Sequence, residues 1–280
     1  MGAIIWLASY PKSGNTWMRS YLHNLLTNAK ASVPIDDLTR FCLGESGAGP
    51  FAALAGKPYE ILTDQEIAQL RPRVHREFTR ASSDSVFVKT HNYLGEWNGQ
   101  PLHNMDVTAG GIYILRNPLD VVLSLQNHFA MTLDEAIDRL GLFGAGTETG
   151  GGHVPEVHSS WSHHVESWTA QANPQLLVLR YEDMLAQPQA VFGATARFLG
   201  LNPSQERLER AIRFSSFKVL KEQEEKSGFK ERPKNAKAAF FREGRAEQWR
   251  EVLSPDQVRR IISDHRVQME RFNYVPADYA

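Results

Sequence analysis

Apolar and polar positions in this chain fall into short blocks of two kinds. Ala3–Ser9 is an apolar run too short for a helix and suited to a strand buried on both faces. Ser85–Thr90, Gly111–Arg116 and Gln175–Arg180 repeat that pattern. Between these runs the spacing turns helical. Trp17, Tyr21, Leu22, Leu25 and Leu26 share one side of a helix predicted over Asn15–Thr27. Thr63–Glu66 and Thr132–Glu135 read as capping boxes, opening helices that run to about Phe78 and Leu142. Further helices are predicted over Leu119–Ala130, Ser160–Gln171 and Gln187–Leu199, the last stopped by Gly200. Asn202-Pro203-Ser204-Gln205 and Ser254-Pro255-Asp256-Gln257 start two more, with Pro at the first helical position, and the second ends near Phe272. Continuous apolar strands alternating with helices predict an α/β fold with a central parallel sheet flanked by helices. No repeat and no long linker divides the chain, so residues 1–280 read as a single domain.

Two stretches carry neither pattern. Residues 28–57 read as irregular, with Gly44, Gly47, Gly49 and Pro50 close together. Gly141–Gly152 holds six glycines and reads as a mobile loop. Loops 41–51 and 141–158 are expected to gate a pocket.

The first strand runs through Tyr10-Pro11-Lys12-Ser13-Gly14 straight into a helix. Free N–H groups in such a loop and at the helix start make an anion site, to which Lys12 adds positive charge. Ser13 and Thr16 offer hydroxyls, Asn15 can cap the helix start, and Gly14 lets the backbone come close. The spacing is not that of a Walker A loop, in which Lys follows the second Gly. Ligands bind parallel sheets at the carboxyl ends of strands. The Lys12 loop, Lys89-Thr90-His91 and Arg116 all sit at such ends.

Composition narrows the partners. A formal net charge of −1 gives no general affinity for polyanions, so nucleic acid is not expected and any anion site must be local. The one cysteine, Cys42, cannot form an internal disulfide, which fits a reducing, cytoplasmic setting; it reads as a nucleophile or, better, as an inert buried thiol. No window approaches the roughly 18 apolar residues of a membrane span, and the apolar start lacks the basic flank of a signal peptide. His153, His158, His163 and His164 straddle a loop and a helix start and read as packing or solvated residues, so no metal is expected.

Tyr10–Trp17, Y-P-K-S-G-N-T-W, resembles the 5′-phosphosulfate loop of the cytosolic-type sulfotransferases, with Asn15 where Thr is usual. Arg116-Asn117-Pro118 through Asp120 to Ser124 resembles that family's 3′-phosphate motif, R-N-P-x-D-x-x-x-S. Phe240–Arg250 resembles its F-x-R-K-G-x-x-G-x-W-K element, with Glu243 for Lys, Glu247 for Gly and Arg250 for Lys. Val154–Trp168 follows V-P-x-G-S-W-x-x-H-V-x-x-W. The resemblance implies a sulfotransferase using 3′-phosphoadenosine-5′-phosphosulfate (PAPS), with 3′,5′-ADP as product and no metal. It implies a donor site of Lys12, Ser13, Gly14, Asn15, Thr16, Trp17, Arg116, Ser124, Tyr181, Ser215, Phe217, Arg242, Glu243 and Gly244. Glu243 lowers the local positive charge, and Arg245 can compensate.

His91 is implied as the base and Lys12 as the charge at the leaving oxygen. Lys89 would steady the sulfuryl group, and Ser124 would restrain Lys12. Phe41, Phe51, Trp97, Phe129, Phe143 and Trp161 form the expected acceptor pocket, which fits a small phenol or lipid-like alcohol. Other readings are a P-loop-type nucleotide kinase and a catalytically inactive nucleotide-binding protein. The dimer motif K-x-x-x-T-V-x-x-x-E is not present, which leaves the oligomeric state open.

Overall fold

A computed structural model describes residues 2–80, 84–232 and 238–280. These form, in chain order, strands β1 Ile4–Ser9, β2 Cys42–Gly44, β3 Val86–Thr90, β4 Glu96–Trp97, β5 Gln100–Pro101, β6 Thr108–Leu115 and β7 Leu176–Arg180. The main sheet runs in the order β2-β3-β1-β6-β7. β1 lies parallel to β3, with Ile4 opposite Val86 and Ala8 opposite Thr90. β2 lies parallel to the other edge of β3, with Cys42 opposite Phe87. The central place of β1 explains its unbroken apolar sequence: Ile4, Leu7 and Ala8 are fully buried. This is the expected α/β class, a central parallel sheet flanked by helices.

The contacts divide the chain into two compact units, each assembled from three stretches. The first comprises Met1–Tyr10, Cys42–Tyr113 and Leu142–Val178, and holds the sheet apart from the last residues of β6 and β7. Trp6 anchors its interior, edge-on to His75 and His103 at 5.0 and 4.7 Å, with its Nε1 donating to Thr108 Oγ1 at 2.9 Å. The helix Asp64–Arg80 buries Ile67, Ala68, Val74 and Phe78, and Thr63 and Glu66 cap it reciprocally as expected. From the same helix Arg71 forms a fully buried ion pair with Glu45 and donates to the Pro155 carbonyl at 2.8 Å. Asn92 donates to Glu45 and accepts from the Val157 N–H at 2.6 Å. This network pins residues 155–157 beside the end of β3.

Both stretches expected to lack order have structure. Residues 28–57 contain β2 and the helices Leu38–Phe41 and Ala48–Ala55. A three-residue edge strand ending in glycine is too short to show a period. The glycine-rich stretch pairs with residues 153–157 through bridges of Gly146 with Val157 and Gly150 with His153. A Cβ on Gly146 would come within 2.4 Å of the Glu156 carbonyl oxygen. Glycine there serves close approach between two segments.

The second unit comprises Pro11–Phe41, Ile114–Gly141 and Leu179–Ala280. Asn117, Ser204 and Ser254 cap the helices Pro118–His128, Gln205–Phe214 and Pro255–Arg271, the last through a complete capping box. Asn15 does not cap: Gly14 takes that position at φ 104°, and Asn15 is the first helical residue. A helix over Phe217–Ser227, too polar to show an apolar stripe in the sequence, packs Leu220 with Ile35, Leu38, Phe229 and Phe241.

Candidate active site

In the second unit, a cradle for an anion forms where the loop after β1 turns into the helix Asn15–Leu26. Lys12 and Gly14 both adopt left-handed backbone, at φ 70° and 104°. A Cβ on Gly14 would come within 2.8 Å of the Tyr181 ring, so that residue must be glycine. Ser13 is fully buried, and its hydroxyl has no partner among the described residues. It lies at a helix start, where backbone N–H groups are unpaired and the dipole favours negative charge. A buried orphan hydroxyl costs free energy unless a ligand meets it.

Arg116 is buried and ties the cradle together. Its Nη1 donates to the Lys12 carbonyl at 3.1 Å and to Ser124 Oγ at 3.4 Å, while its guanidinium lies 4.4 Å from the centre of the Tyr181 ring. Its Nε has no partner among the described residues. Arg242 stands close enough that, after burial itself and an opposing effect of Glu243, the Arg116 charge further lowers its basicity. Two guanidiniums close enough to repel one another suit an anion, which would offset both. Lys12, Ser124, Asn127, His128, Phe240 and Arg242 line one concavity. Within it the Lys12 ammonium sits 3.6 Å from the Phe240 ring centre and 3.5 Å from His128 Nδ1.

The expected nucleoside contacts lie in the same unit. Trp17 meets Tyr181 edge-on at 5.8 Å and Phe192 at 5.4 Å. Gly244, at φ 62°, presses on the Phe217 ring, where a Cβ would come within 2.2 Å. The buried Ser215 hydroxyl donates back to the Ala211 carbonyl at 2.9 Å, leaving its oxygen to accept. Glu243 turns to Arg245 at 2.8 Å, and Arg245 also holds Glu251 at 2.6 Å, so one guanidinium shared by two carboxylates offsets the acidic replacement only in part. Asp120, which the sequence reading placed in the R-N-P motif without a role, has one here. Its carboxylate accepts the N–H groups of Glu247 at 2.7 Å and Trp249 at 3.1 Å, shaping the segment that carries Arg242 and Gly244.

The first unit holds His91, immediately after β3. Its Nδ1 lies 2.8 Å from the Ser9 carbonyl oxygen. A carbonyl only accepts, so Nδ1 carries the proton and Nε2 presents a lone pair. Burial, and then the Lys89 charge, hold the His91 imidazole well below its usual pKa, although Glu156 opposes them. The ring is therefore neutral near pH 7. Lys89 pairs with Glu156 at 3.5 Å. Glu156 also accepts from Ser46 Oγ at 3.0 Å and faces His158 Nε2 at 3.5 Å. Glu156 did not stand out in the sequence, because the apolar context of V-P-E-V-H hides a buried acid, and His158 was read there only as a packing or solvated residue. Burial pushes the Glu156 carboxyl up, but Lys89 and His158 together hold it well below the usual range.

The six expected acceptor-pocket residues divide between the units. Phe51 and Trp161 are fully buried in the first, where Trp97 is half-buried and Phe143 is 72 % exposed against His163 at 4.7 Å. Phe41, stacked on His23 at 4.7 Å, and Phe129, beside His128, belong to the second. His164 is fully buried against Tyr113, whose hydroxyl lies 2.9 Å from its Nδ1. Among the described residues no cluster of three or more His, Cys, Asp or Glu side chains could hold a metal. No helix among them is long and apolar enough to cross a membrane.

Residues 4–273 match the family model of the sulfotransferase domain. Cytosolic sulfotransferase 17 of Arabidopsis thaliana is 26% identical over 278 residues, covering 91% of this chain and 71% of its own length. Flavonol 3-sulfotransferase of Flaveria bidentis is 23% identical over 270 residues, covering 92% and 78%. Among solved structures, mouse sulfotransferase SULT7A1 complexed with PAP superposes with a TM-score of 0.63 at 19% identity, covering 97% of this chain and 85% of that one. Retinol dehydratase in complex with androsterone and inactive cofactor PAP gives 0.65 at 18% identity, covering 95% and 80%. At these identities the structural likeness speaks for the fold.

Proposed function

The chain belongs to the sulfotransferase domain family and is a PAPS-dependent sulfotransferase; from that premise we propose that it sulfates a hydroxyl of a small apolar or aromatic acceptor, with His91 as base. One observation carries the donor half of this reading. The buried orphan hydroxyl of Ser13 shares a unit with two repelling guanidiniums, Arg116 and Arg242, and with the Lys12 ammonium. These residues fit a doubly phosphorylated nucleotide.

PAPS supplies the activated sulfuryl group. In this reading Ser13, Gly14, Asn15 and Thr16 present N–H and O–H groups to the 5′-phosphosulfate. Arg116, Ser124, Arg242 and Gly244 hold the 3′-phosphate, with Trp17, Tyr181, Ser215 and Phe217 around the nucleoside. Lys12 places positive charge where the leaving oxygen develops negative charge. His91 takes the acceptor proton at Nε2, the nitrogen that its bond to Ser9 leaves unprotonated. Lys89 steadies the sulfuryl oxygens. One family model runs through all three stretches of both units, which supports reading residues 1–280 as one functional domain.

The acceptor class is read from the flavonol enzyme among the relatives and from the aromatic side chains Trp97 and Phe143 of the first unit. The absence of any net basic charge argues against nucleic acid as a partner.

Thermal unfolding with 3′,5′-ADP, 5′-AMP, or ATP with Mg²⁺ tests the donor site. At about 100 times its Kd, 3′,5′-ADP adds roughly 2.7 kcal/mol of stability. 5′-AMP, which lacks the group held by Arg116 and Arg242, gives a much smaller shift. A shift with ATP and Mg²⁺ alone overturns the reading.

A further inference from the structure

We propose that Glu156 is a positioning residue of this sulfotransferase: its carboxylate holds the Lys89 ammonium at the end of β3, two residues before His91. The proposal rests on the reading of His91 as base. It starts from a buried acid to which the mechanism above gives no role. Glu156 is 9% exposed and carries its charge among three partners, Lys89 Nζ at 3.5 Å, Ser46 Oγ at 3.0 Å and His158 Nε2 at 3.5 Å. An ionised carboxylate at that burial is costly unless paired, so the pairing is specified.

The backbone around Glu156 is fixed from both sides. Arg71 holds the Pro155 carbonyl at 2.8 Å, and Asn92, next to His91, holds the Val157 N–H at 2.6 Å. The Glu156 N–H donates to Thr147 Oγ1 at 3.0 Å. Residues 155, 156 and 157 are thus each tied down, and the side chain between them is aimed at Lys89. Lys89 and His91 flank Thr90, the last residue of the strand, and lie close enough that the Lys89 charge acts on the imidazole.

The charged and titratable groups facing His91 are Lys89, Glu156 and His158, and its own carbonyl faces His164 Nε2 at 3.2 Å. Tyr10 lies edge-on to both His158 and His164. Lys89 draws the His91 proton off, and Glu156 offsets it. The carboxylate therefore keeps a cation beside the base without letting that cation weaken the base further.

Competitive acylation of amines, read residue by residue by peptide mass spectrometry, tests this without turnover. In Glu156→Gln the freed Lys89 amine reacts roughly threefold faster or more relative to Lys57, the half-exposed lysine paired with Glu66 in the same unit. Glu156→Asp restores most of the protection. Ser46→Ala takes a competing donor off the same carboxylate oxygen and leaves Lys89 at least as protected as in wild type, and Glu156→Ala serves if Glu156→Gln does not fold. An equal Lys89-to-Lys57 ratio in wild type and in the Glu156 variant that folds overturns the proposal. Sulfuryl transfer from PAPS to 4-nitrophenol by His91→Ala is measured alongside. Full turnover by that variant removes the base reading and leaves the Lys89 labelling result to be judged on its own.

Discussion

At His91 a single hydrogen bond selects the chemistry. With Nδ1 committed to the Ser9 carbonyl, only Nε2 can accept a proton, and burial keeps it unprotonated at neutral pH. Two outcomes follow at this scale. The acid limb of kcat/KM falls well below pH 6.5, because the imidazole pKa is lowered and the base form persists as pH drops; a limb at 6.5 or above contradicts the assignment. His91→Gln lowers kcat by about 10²-fold or more, measured by single-turnover transfer to 4-nitrophenol. The sequence pointed to His91 by its place at the end of a strand. It could not show the tautomer, which depends on a carbonyl 82 positions away.

At the scale of elements, the turn from β1 into the helix Asn15–Leu26 was legible because a strand, a Lys-Ser-Gly turn and a helix follow one another without a gap. The capping boxes at Thr63 and Thr132 and the cap at Ser254 were legible because each signal is local. What escaped depends on partners far along the chain. β2 has meaning only beside β3, and the glycines of 146–152 only beside 153–157. The buried network of Glu45, Arg71 and Asn92 is of this kind, and it fastens three segments at once. Glu45→Gln leaves Arg71 as an uncompensated buried charge and costs about 3–5 kcal/mol, read from urea unfolding. A loss under about 1 kcal/mol would place the network's weight elsewhere.

For the whole molecule, the titration of its buried histidines sets acid stability. His75, His91, His103, His164 and His265 all have pKa values lowered chiefly by burial, His103 to about 3 and His265 to about 4. Unfolded, each takes a proton near pH 6.5; folded, each resists. Their stabilisation is complete above about pH 6.5 and is lost as pH falls from there toward the folded values. Each contributes roughly 1.4 kcal/mol per pH unit in that window. The unfolding temperature is therefore lower at pH 5 than at pH 7, by differential scanning calorimetry, and equal values would refute this. The division into two units was invisible in the sequence, because each is made of three separated stretches and no linker marks a boundary.

The Asp120 carboxylate meets its backbone partners 127 and 129 positions later. During synthesis, that acid leaves the ribosome long before Glu247 and Trp249 do, and loops of that length close at an entropic cost that grows only slowly with size. The nascent chain can form the turn after β1 early, yet the segment that carries Arg242 and Gly244 is fastened to Asp120 only once residues 247 and 249 have emerged. If that segment holds the 3′-phosphate as proposed, nucleotide capture waits until the chain is nearly finished.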